Sequence, residues 1–420
     1  MGCPRSIRVG VGVIALLGSV LHLSSCAPDT EGDVAPCPEA GAASPSFVQE
    51  DSAGVSIRVT PCDVSTRPLA WTVDPDPELV LGDSEEPGEF FERIAGVTSL
   101  PDGGVAVLDQ WAFELRFFDP EGDLRLRVGR EGRGPGEFET PFMVDAPHLV
   151  DSVLVYDLRH REFRYYDAEG EYRASRVETP WLTRAPAPVG KLDAGMLIRN
   201  THLFFAPNPD PGPVEVLLSH YWVDVRSEEE RLLSETRPHL NYFMPPQEGR
   251  RPTSRAIPFR TNVSEALSTS GPVLTNGTDF ELRYFDLRGE LARIIRVDSR
   301  RRLPVTARAL EAHLDSHLEA GRLSPAAAED ARTIPLPDSM PAFDALHVDQ
   351  LGWTWAQLFD PNPLTPTQWM VFDPDGRGHG IVEVPGGLEV HEIGEDFILG
   401  VWRDEMRRQL VLRFRLSRDS

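Results

Sequence analysis

The stretch Val105–Phe138, VAVLDQWAFELRFFDPEGDLRLRVGREGRGPGEF, contains three short strand patterns separated by turns. In the third, apolar residues at 124, 126 and 128 alternate with arginines at 125 and 127, the two-residue period of a half-buried strand. Asp119-Pro120-Glu121-Gly122 supplies a turn, because proline presets φ and glycine permits a positive φ. The stretch therefore predicts an antiparallel meander that needs further copies of itself to cover its exposed edges.

The turn recurs along the chain. Copies of Phe118–Gly122 stand at Tyr166–Gly170, Phe285–Gly289 and Phe372–Gly376, with a fainter one at Val223–Ser227. The run Pro135–Phe138 also has a twin at Pro87–Phe90, 48 residues upstream, and Asp119 and Asp167 are likewise 48 residues apart. A repeat of about 40–50 residues built from short strands is typical of a β-propeller blade.

We predict an all-β fold, a six-bladed β-propeller over residues 51–420 that an N-terminal strand closes. Five blades are predicted at 92–138, 139–180, 184–238, 262–303 and 343–385, and a sixth from 386–420 together with the strand in Leu79–Phe91. The faint third repeat leaves seven blades as the alternative. The Pro- and Arg-rich segment Leu240–Thr261 has no clear period and predicts a long surface loop.

A helical insertion is predicted at 305–342, between blades four and five. Leu310, Leu314 and Leu318 recur every four residues and form one apolar stripe. Ser324-Pro325 can begin a second helix, with serine as the N-cap and proline in the first turn. We expect this helical hairpin to pack on one face or on the rim of the propeller.

The N-terminus has the pattern of an export signal, with Arg5 and Arg8 before an apolar run. Residues 1–25 are predicted to be a signal peptide and 26–50 a flexible tether, because the latter are rich in Pro, Ala, Gly, Ser and acidic residues. Leu23-Ser24-Ser25-Cys26 resembles the bacterial lipobox, which implies lipidation of Cys26; cleavage elsewhere as an ordinary signal peptide is the alternative. By resemblance to lipoprotein sorting, Ala27 favours the outer membrane.

Composition narrows the classes of partner. The formal net charge of −24 argues against binding nucleic acid through its phosphates. An exported chain meets an oxidising compartment, so Cys37 and Cys62 could form a disulfide, with two free thiols an equal alternative. We predict a monomer and no cofactor.

The chain resembles the bacterial six-bladed β-propeller lipoproteins of the NHL-repeat and TolB-like group. The resemblance rests on the lipobox, the run Val128–Phe138, the Phe/Tyr-Asp-x-x-Gly turns and the insertion before Phe343–Trp355, and it covers nearly all of the mature chain. It implies an exported ring-shaped scaffold without a uniform activity. Some six-bladed relatives are lyases or lactonase-type hydrolases that hold a metal in the central channel.

A channel metal would need ligands from several blades. His148, His347 and His391 lie near first strands but share no register, so scattered histidines are the favoured interpretation. His313 and His317 stand four residues apart on the predicted helix, where a solvated face is again favoured over a metal. Asp102–Gly104 and Asp373–Gly376 indicate turns and not calcium loops, and Gly129–Gly136 lacks the ending of a phosphate-binding loop.

The remaining candidates are rim residues at the ends of second-strand segments, where propellers carry recognition loops: Trp111, Arg159, His160, Asn276 and Gln357. Trp353 and Trp355 are predicted to pack between blades. Arg250, Arg251, Arg255 and Arg260 form a basic segment that is either a solvated loop or a grip for an acidic partner. We expect a lipid-anchored binding or scaffold protein that recognises an envelope protein or glycan without catalysis. The alternative is a metal-dependent lyase or lactonase-type hydrolase.

Overall fold

The computed structural model describes residues 48–60, 67–84, 90–147, 151–177, 187–203, 210–244, 253–261, 263–297, 302–362, 364–404 and 406–418. Within these ranges the chain is mostly β-strand, with two helices and six sheets. The predicted signal peptide, the lipobox with Cys26, and the pair Cys37 and Cys62 lie outside the described residues.

Four short strands precede the repeats. β1 (Val48–Ser52) and β2 (Val55–Val59) form an antiparallel hairpin. β3 (Thr72–Val73) and β4 (Leu79–Leu81) follow. The predicted tether ends at residue 50, whereas the first described strand already begins at Val48.

The remaining strands are numbered sheet by sheet in chain order. Sheet 1 holds β5 (Ile94–Ser99), β6 (Val105–Asp109), β7 (Glu114–Phe118) and β8 (Leu124–Val128). Sheet 2 holds β9 (Pro141–Met143), β10 (Ser152–Asp157), β11 (Glu162–Asp167) and β12 (Tyr172–Arg176). Sheet 3 holds β13 (Ala187–Lys191), β14 (Gly195–Leu203), β15 (Gly212–Asp224), β16 (Glu230–Thr236), β17 (His239–Met244) and β18 (Thr253–Ala256).

Sheets 4 to 6 continue the series. Sheet 4 holds β19 (Glu265–Ser268), β20 (Gly271–Thr275), β21 (Glu281–Phe285) and β22 (Leu291–Arg296). Sheet 5 holds β23 (Phe343–Val348), β24 (Thr354–Leu358), β25 (Thr367–Phe372) and β26 (Gly378–Val384). Sheet 6 holds β27 (Glu389–Ile393), β28 (Phe397–Arg403) and β29 (Gln409–Ser417).

The N-terminal strands complete sheets that form much later in the sequence. β2 joins the outer edge of sheet 4 by pairing parallel to β22. β4 pairs antiparallel with β29 and adds an outer strand to sheet 6, to which β3 is also bonded. In the described part of the predicted strand region Leu79–Phe91, Leu79–Leu81 forms this ladder and Phe91 makes an isolated bridge to Gln409.

The first strands of successive sheets lie side by side. β5 contacts β9, β13 contacts β19, β19 contacts β23, and β23 contacts β27, which in turn contacts β5. Sheets 2 and 3 meet through a bridge between Asp145 and Gly190. Apolar side chains fill the space between neighbouring sheets, including Leu399 and Val401 of the last sheet against Val105 of the first. Meanders stacked in this way make the fold a β-propeller.

The recurring turn has a physical reason in each sheet. The carboxylate of Asp119 accepts hydrogen bonds from the backbone N–H groups of Glu121 and Asp123, at 3.1 and 2.8 Å. Gly170, at the end of the second copy, has a φ of +85°, and a Cβ there would lie 2.7 Å from Leu126 of the preceding sheet. The turn therefore requires aspartate for its hydrogen bonds and glycine for its conformation and packing.

The prediction of a loop at Leu240–Thr261 is wrong, because β17 and β18 form a hairpin there. β15 is 13 residues long, and its first part pairs with β17 while its second part pairs with β16. Sheet 3 therefore extends to Ala256, beyond the predicted end of the third blade at 238. The alternation of polar and apolar residues in His239–Met244 spans only six residues. Proline and arginine residues follow it, so the sequence pattern did not indicate a strand.

The helical insertion is confirmed as α1 (Ala307–Glu319) and α2 (Pro325–Ala331). The side chains of Thr306 and Ser324 cap the two helices by accepting hydrogen bonds from backbone N–H groups at 3.1 and 3.2 Å. Leu310 and Leu314 are buried against Phe259 and α2, as the four-residue stripe predicts.

Candidate functional site

One edge of the propeller carries the turns between second and third strands together with the starts of the first strands. In sheet 1, Asp109 at the end of β6 accepts hydrogen bonds from the backbone N–H groups of Glu92 and Arg93, at 2.9 and 3.0 Å. Arg116 on β7 lies 3.4 Å from the Asp109 carboxylate and covers the ring of Phe91. This buried pair fixes the connection that enters β5.

Sheet 2 repeats the arrangement. Asp157 accepts from the backbone N–H of Glu139 at 2.8 Å, and Arg164 lies 3.7 Å from Asp157 and over the ring of Phe138. The signal was present in the sequence, because Arg116 and Arg164 both stand two residues after a glutamate at the start of a third strand. Sequence reasoning found the turns of this repeat and missed the Asp–Arg pair.

A pocket of about 440 Å³ opens between sheets 6 and 1 on this edge. That volume is within the range of about 300–1,000 Å³ that is usual for small-molecule sites. The connection before β5, the turn after β6, the start of β27 and the turn between β28 and β29 supply its lining, with residues Glu92, Arg93, Ile94, Trp111, Glu389, His391, Val401, Arg403, Arg407 and Gln409. We call it the mouth pocket.

Trp111 is the large aromatic side chain of the mouth pocket. It is 59% exposed, and the guanidinium of Arg93 lies 5.4 Å from its ring centre. A cation at this distance from an indole is attracted by the ring. An exposed indole that a neighbouring guanidinium orients is available to stack on a ligand.

Charged side chains form the opposite wall. Arg403 at the end of β28 lies 3.5 Å from the carboxylate of Glu389 at the start of β27. Gln409 accepts a hydrogen bond from the backbone N–H of Ile94 at 2.8 Å and so joins the two walls. Arg407 adopts a φ of +64° in the turn between β28 and β29.

The helical insertion borders the mouth pocket. A Cβ on Gly321, just after α1, would lie 3.0 Å from the Arg407 guanidinium. Arg322 donates a hydrogen bond to the carbonyl of Gly387 at 3.2 Å. Burial, together with the nearby charge of Arg403, lowers the pKa of Arg322. The hairpin thus brings another guanidinium towards the pocket.

Four titratable side chains lie on the first strands or just beyond them. Asp145 and Asp344 are exposed to solvent, yet the surrounding protein desolvates them and raises the pKa of each, that of Asp145 to about 7. Burial, with the nearby His391, lowers the pKa of His347 to about 4, and burial also lowers the pKa of His391. The two carboxyl groups are thus exposed but surrounded by protein, whereas His347 and His391 are half-buried.

The structure brings only Trp111 of the predicted rim residues into the mouth pocket. His160 lies 3.2 Å from Asp157 and 3.3 Å from Glu139, and Arg159 lies 3.9 Å from Glu139, in a charged network on sheet 2. Asn276 accepts hydrogen bonds from Thr278 and Asp279 within its own turn, and Gln357 lies inside β24. Sequence reasoning missed Arg93, Glu389, Arg403 and Arg407.

The predicted metal candidates do not assemble within the described part of the chain. In those ranges no group of three or more His, Cys, Asp or Glu side chains is placed to hold a metal ion. His148 lies outside the described residues. The rings of His313 and His317 are 4.1 Å apart, and His313 Nδ1 lies 2.9 Å from the carbonyl of Pro361. Burial lowers the pKa of both histidines, that of His317 to about 4.

The glycine-rich run Gly129–Gly136 is occupied by the protein's own carboxylate. Glu137 accepts a hydrogen bond from the N–H of Gly134 at 2.7 Å and pairs with Arg130 at 2.6 Å. These contacts lower the pKa of Glu137. The backbone N–H of Gly134 in this run therefore already has an acceptor within the protein.

The other sequence candidates have structural partners where they are described. Trp355 is fully buried and packs with Trp353 between sheets 5 and 6, as predicted. Arg255 pairs with Asp330 of α2 at 2.8 Å. Arg260 donates to the carbonyl of Leu240 at 3.2 Å, while Arg250 and Arg251 lie outside the described residues. Among the described helices, none is long and apolar enough to cross a membrane.

Comparison with known proteins adds likenesses of fold. No family model matches the chain, and no curated protein matches it. Solved structures that resemble it include a protein from Bacteroides fragilis assigned as exported and a member of the DUF4221 family from Bacteroides vulgatus. Each is 10% identical to this chain with a TM-score of 0.42. Each match covers 83% of this chain, together with 96% of the first structure and 98% of the second. A streptogramin B lyase matches at 11% identity and a TM-score of 0.39, over 83% and 98% of the two chains. Likenesses this distant carry no inference about activity.

Proposed function

We propose that this protein is an exported, lipid-anchored recognition protein of the bacterial envelope, whose ligand site is the mouth pocket. The six sheets would be six blades of a closed ring. Two observations support closure: β27 lies against β5, and the N-terminal strand β4 pairs with β29 of the last sheet. A closed ring holds recognition loops rigidly around its mouth.

The mouth pocket carries the proposal. A recognition site combines a concave surface with an aromatic contact and a few placed polar groups. The pocket offers these in an exposed indole, at Trp111, and in ion-paired side chains, at Arg403 and Glu389. No bound metal is required for such a site, and the protein would act as a monomer on an envelope glycan or protein.

A thermal-shift screen of the full-length protein in mild detergent tests the site. The panel contains neutral and acidic oligosaccharides, short peptides and nucleotides. We expect at least one class to raise the melting temperature of the wild type and not that of Trp111→Ala. Tyr172→Ala, which removes another exposed aromatic residue from the outer strand β12, is the matched control and should respond as the wild type does. A panel without effect, or one that acts equally on Trp111→Ala, would contradict the proposal.

The lipid anchor is a separate part of the proposal and rests on the lipobox alone. One lipid chain gives only reversible membrane binding, so stable anchoring by Cys26 would need multiple acylation. Labelling cells with an alkyne fatty acid should mark the wild type and Cys62→Ser but not Cys26→Ser. Equal labelling of Cys26→Ser would exclude this anchor while leaving the ligand site untouched.

A further inference from the structure

The described lining of the mouth pocket carries one more basic than acidic side chain, in a protein that is acidic as a whole. Among the described residues, arginines at 93, 403 and 407 line it against glutamates at 92 and 389, in a chain whose net charge is −24. Of these arginines, Arg403 has an ionic partner in Glu389 at 3.5 Å. Arg93 and Arg407 are exposed, and neither has an ionic partner among the described side chains, although Arg93 lies over the Trp111 ring. Guanidinium groups bind carboxylates through two parallel hydrogen bonds.

The indole and the carboxylates of the lining indicate the chemistry of the rest of the ligand. The pocket is lined mostly by polar groups, and its exposed indole, at Trp111, is its large aromatic surface. The C–H face of a sugar ring stacks on an indole, while its hydroxyls donate to carboxylates such as Glu92 and Glu389. A largely apolar ligand would displace water from Glu92 and from the Glu389–Arg403 pair without replacing its hydrogen bonds.

We infer that the mouth pocket binds an acidic saccharide, with a uronate carboxylate between Arg93 and Arg407 and the sugar ring on Trp111. The inference rests on the proposed function, since it names the ligand class of the same site. It favours a saccharide over an acidic peptide because one sugar ring presents a C–H face to the indole and several hydroxyl donors to the glutamates from a single rigid unit.

Isothermal titration of the full-length protein with three matched probes tests the inference. A β-1,4-linked glucuronic acid trimer carries both features, cellotriose has the same rings without the carboxylates, and triglutamate has carboxylates without the rings. We expect the uronate trimer to bind at least about tenfold more tightly than either of the others, the usual effect of charge-assisted hydrogen bonds. Higher salt should weaken its binding.

Variants assign the contacts. Arg93→Gln and Arg407→Gln should each weaken the uronate trimer at least about tenfold, whereas Arg288→Gln, in a distant exposed turn, should bind as the wild type does. Trp111→Ala should weaken both saccharides. The inference is overturned if the uronate trimer does not bind, if cellotriose or triglutamate binds equally well, or if Arg93→Gln and Arg407→Gln behave like the control. A class in the thermal-shift panel that still requires Trp111 would then leave the proposed function standing.

Discussion

Glu392 on β27 joins the last sheet to the first, so its removal should loosen the contact between them. Its carboxylate accepts hydrogen bonds from the Thr98 hydroxyl at 3.0 Å and from the Ser99 backbone N–H and hydroxyl at 2.7 and 2.6 Å, all on β5. Gln350 of sheet 5 donates a further bond at 2.9 Å. Glu392→Ala leaves these donors without their acceptor.

The expected cost follows from those bonds. Hydrogen bonds to a charged group contribute about 1.5–3 kcal/mol each to stability. Because Glu392 is only half-buried and water replaces part of the loss, we expect Glu392→Ala to lower the free energy of unfolding by about 2–4 kcal/mol in total. Urea unfolding of the full-length protein, followed by tryptophan fluorescence, measures the change. Glu395→Ala, which truncates an exposed glutamate three residues away, is the control. Equal midpoints for the two variants would refute this role of Glu392.

Three further predictions concern the pKa of Asp145, the backbone at Gly129 and the metal content of the protein. Because burial, helped by the charge of Glu392, raises the pKa of Asp145 from 3.8 to about 7, the folded state loses stability as the pH rises through that range. Asp145→Asn should therefore raise the melting temperature at pH 8 by the equivalent of about 1 kcal/mol, a value reduced because Asp145 is exposed. The same substitution should change the melting temperature little at pH 4, and equal effects at both pH values would contradict this. Gly129→Ala places a Cβ 2.5 Å from Phe138 and should cost at least about 2 kcal/mol more than Gly136→Ala, which meets nothing within 4 Å; equal costs in denaturation would exclude that contact. Elemental analysis of full-length protein purified without chelator or metal-affinity resin should find no stoichiometric metal, and stoichiometric calcium, zinc or iron would favour the lyase or lactonase alternative.

The repeat was predictable from the sequence because one short motif performs the same task in several sheets. Each Asp-x-x-Gly turn needs its own carboxylate and its own glycine, so the motif recurs in sheets 1, 2, 4 and 5, where a third strand turns into a fourth. Sheet 3 departs from this pattern, since its long strand β15 serves two partners, and its repeat is correspondingly faint. The pairing of β2 with β22 joins residues more than 200 positions apart, and nothing local in the sequence encodes it.

The mouth pocket was only partly predictable, because its residues come from parts of the chain that are distant in the sequence. Trp111 could be found from the sequence, because it lies between the second strand β6 and the third strand β7. A loop at that place is expected at the rim of a propeller. Arg403 and Arg407 meet Arg93 only when the last sheet packs against the first, and single arginines in turns carry no signal of their own. Burial and polarity along the sequence describe one strand at a time, whereas this site depends on two sheets from opposite ends of the chain.

Fluorine NMR of protein labelled with 5-fluorotryptophan tests the central claim most directly. The chain has eight tryptophans, and Trp111→Phe assigns the resonance of interest. Trp222, Trp355 and Trp369 are fully buried and serve as internal references. Addition of the panel's acidic and neutral oligosaccharides should shift the Trp111 resonance while the buried ones stay in place. A Trp111 resonance that never moves, or that moves only together with the buried tryptophans, would contradict recognition at the mouth pocket.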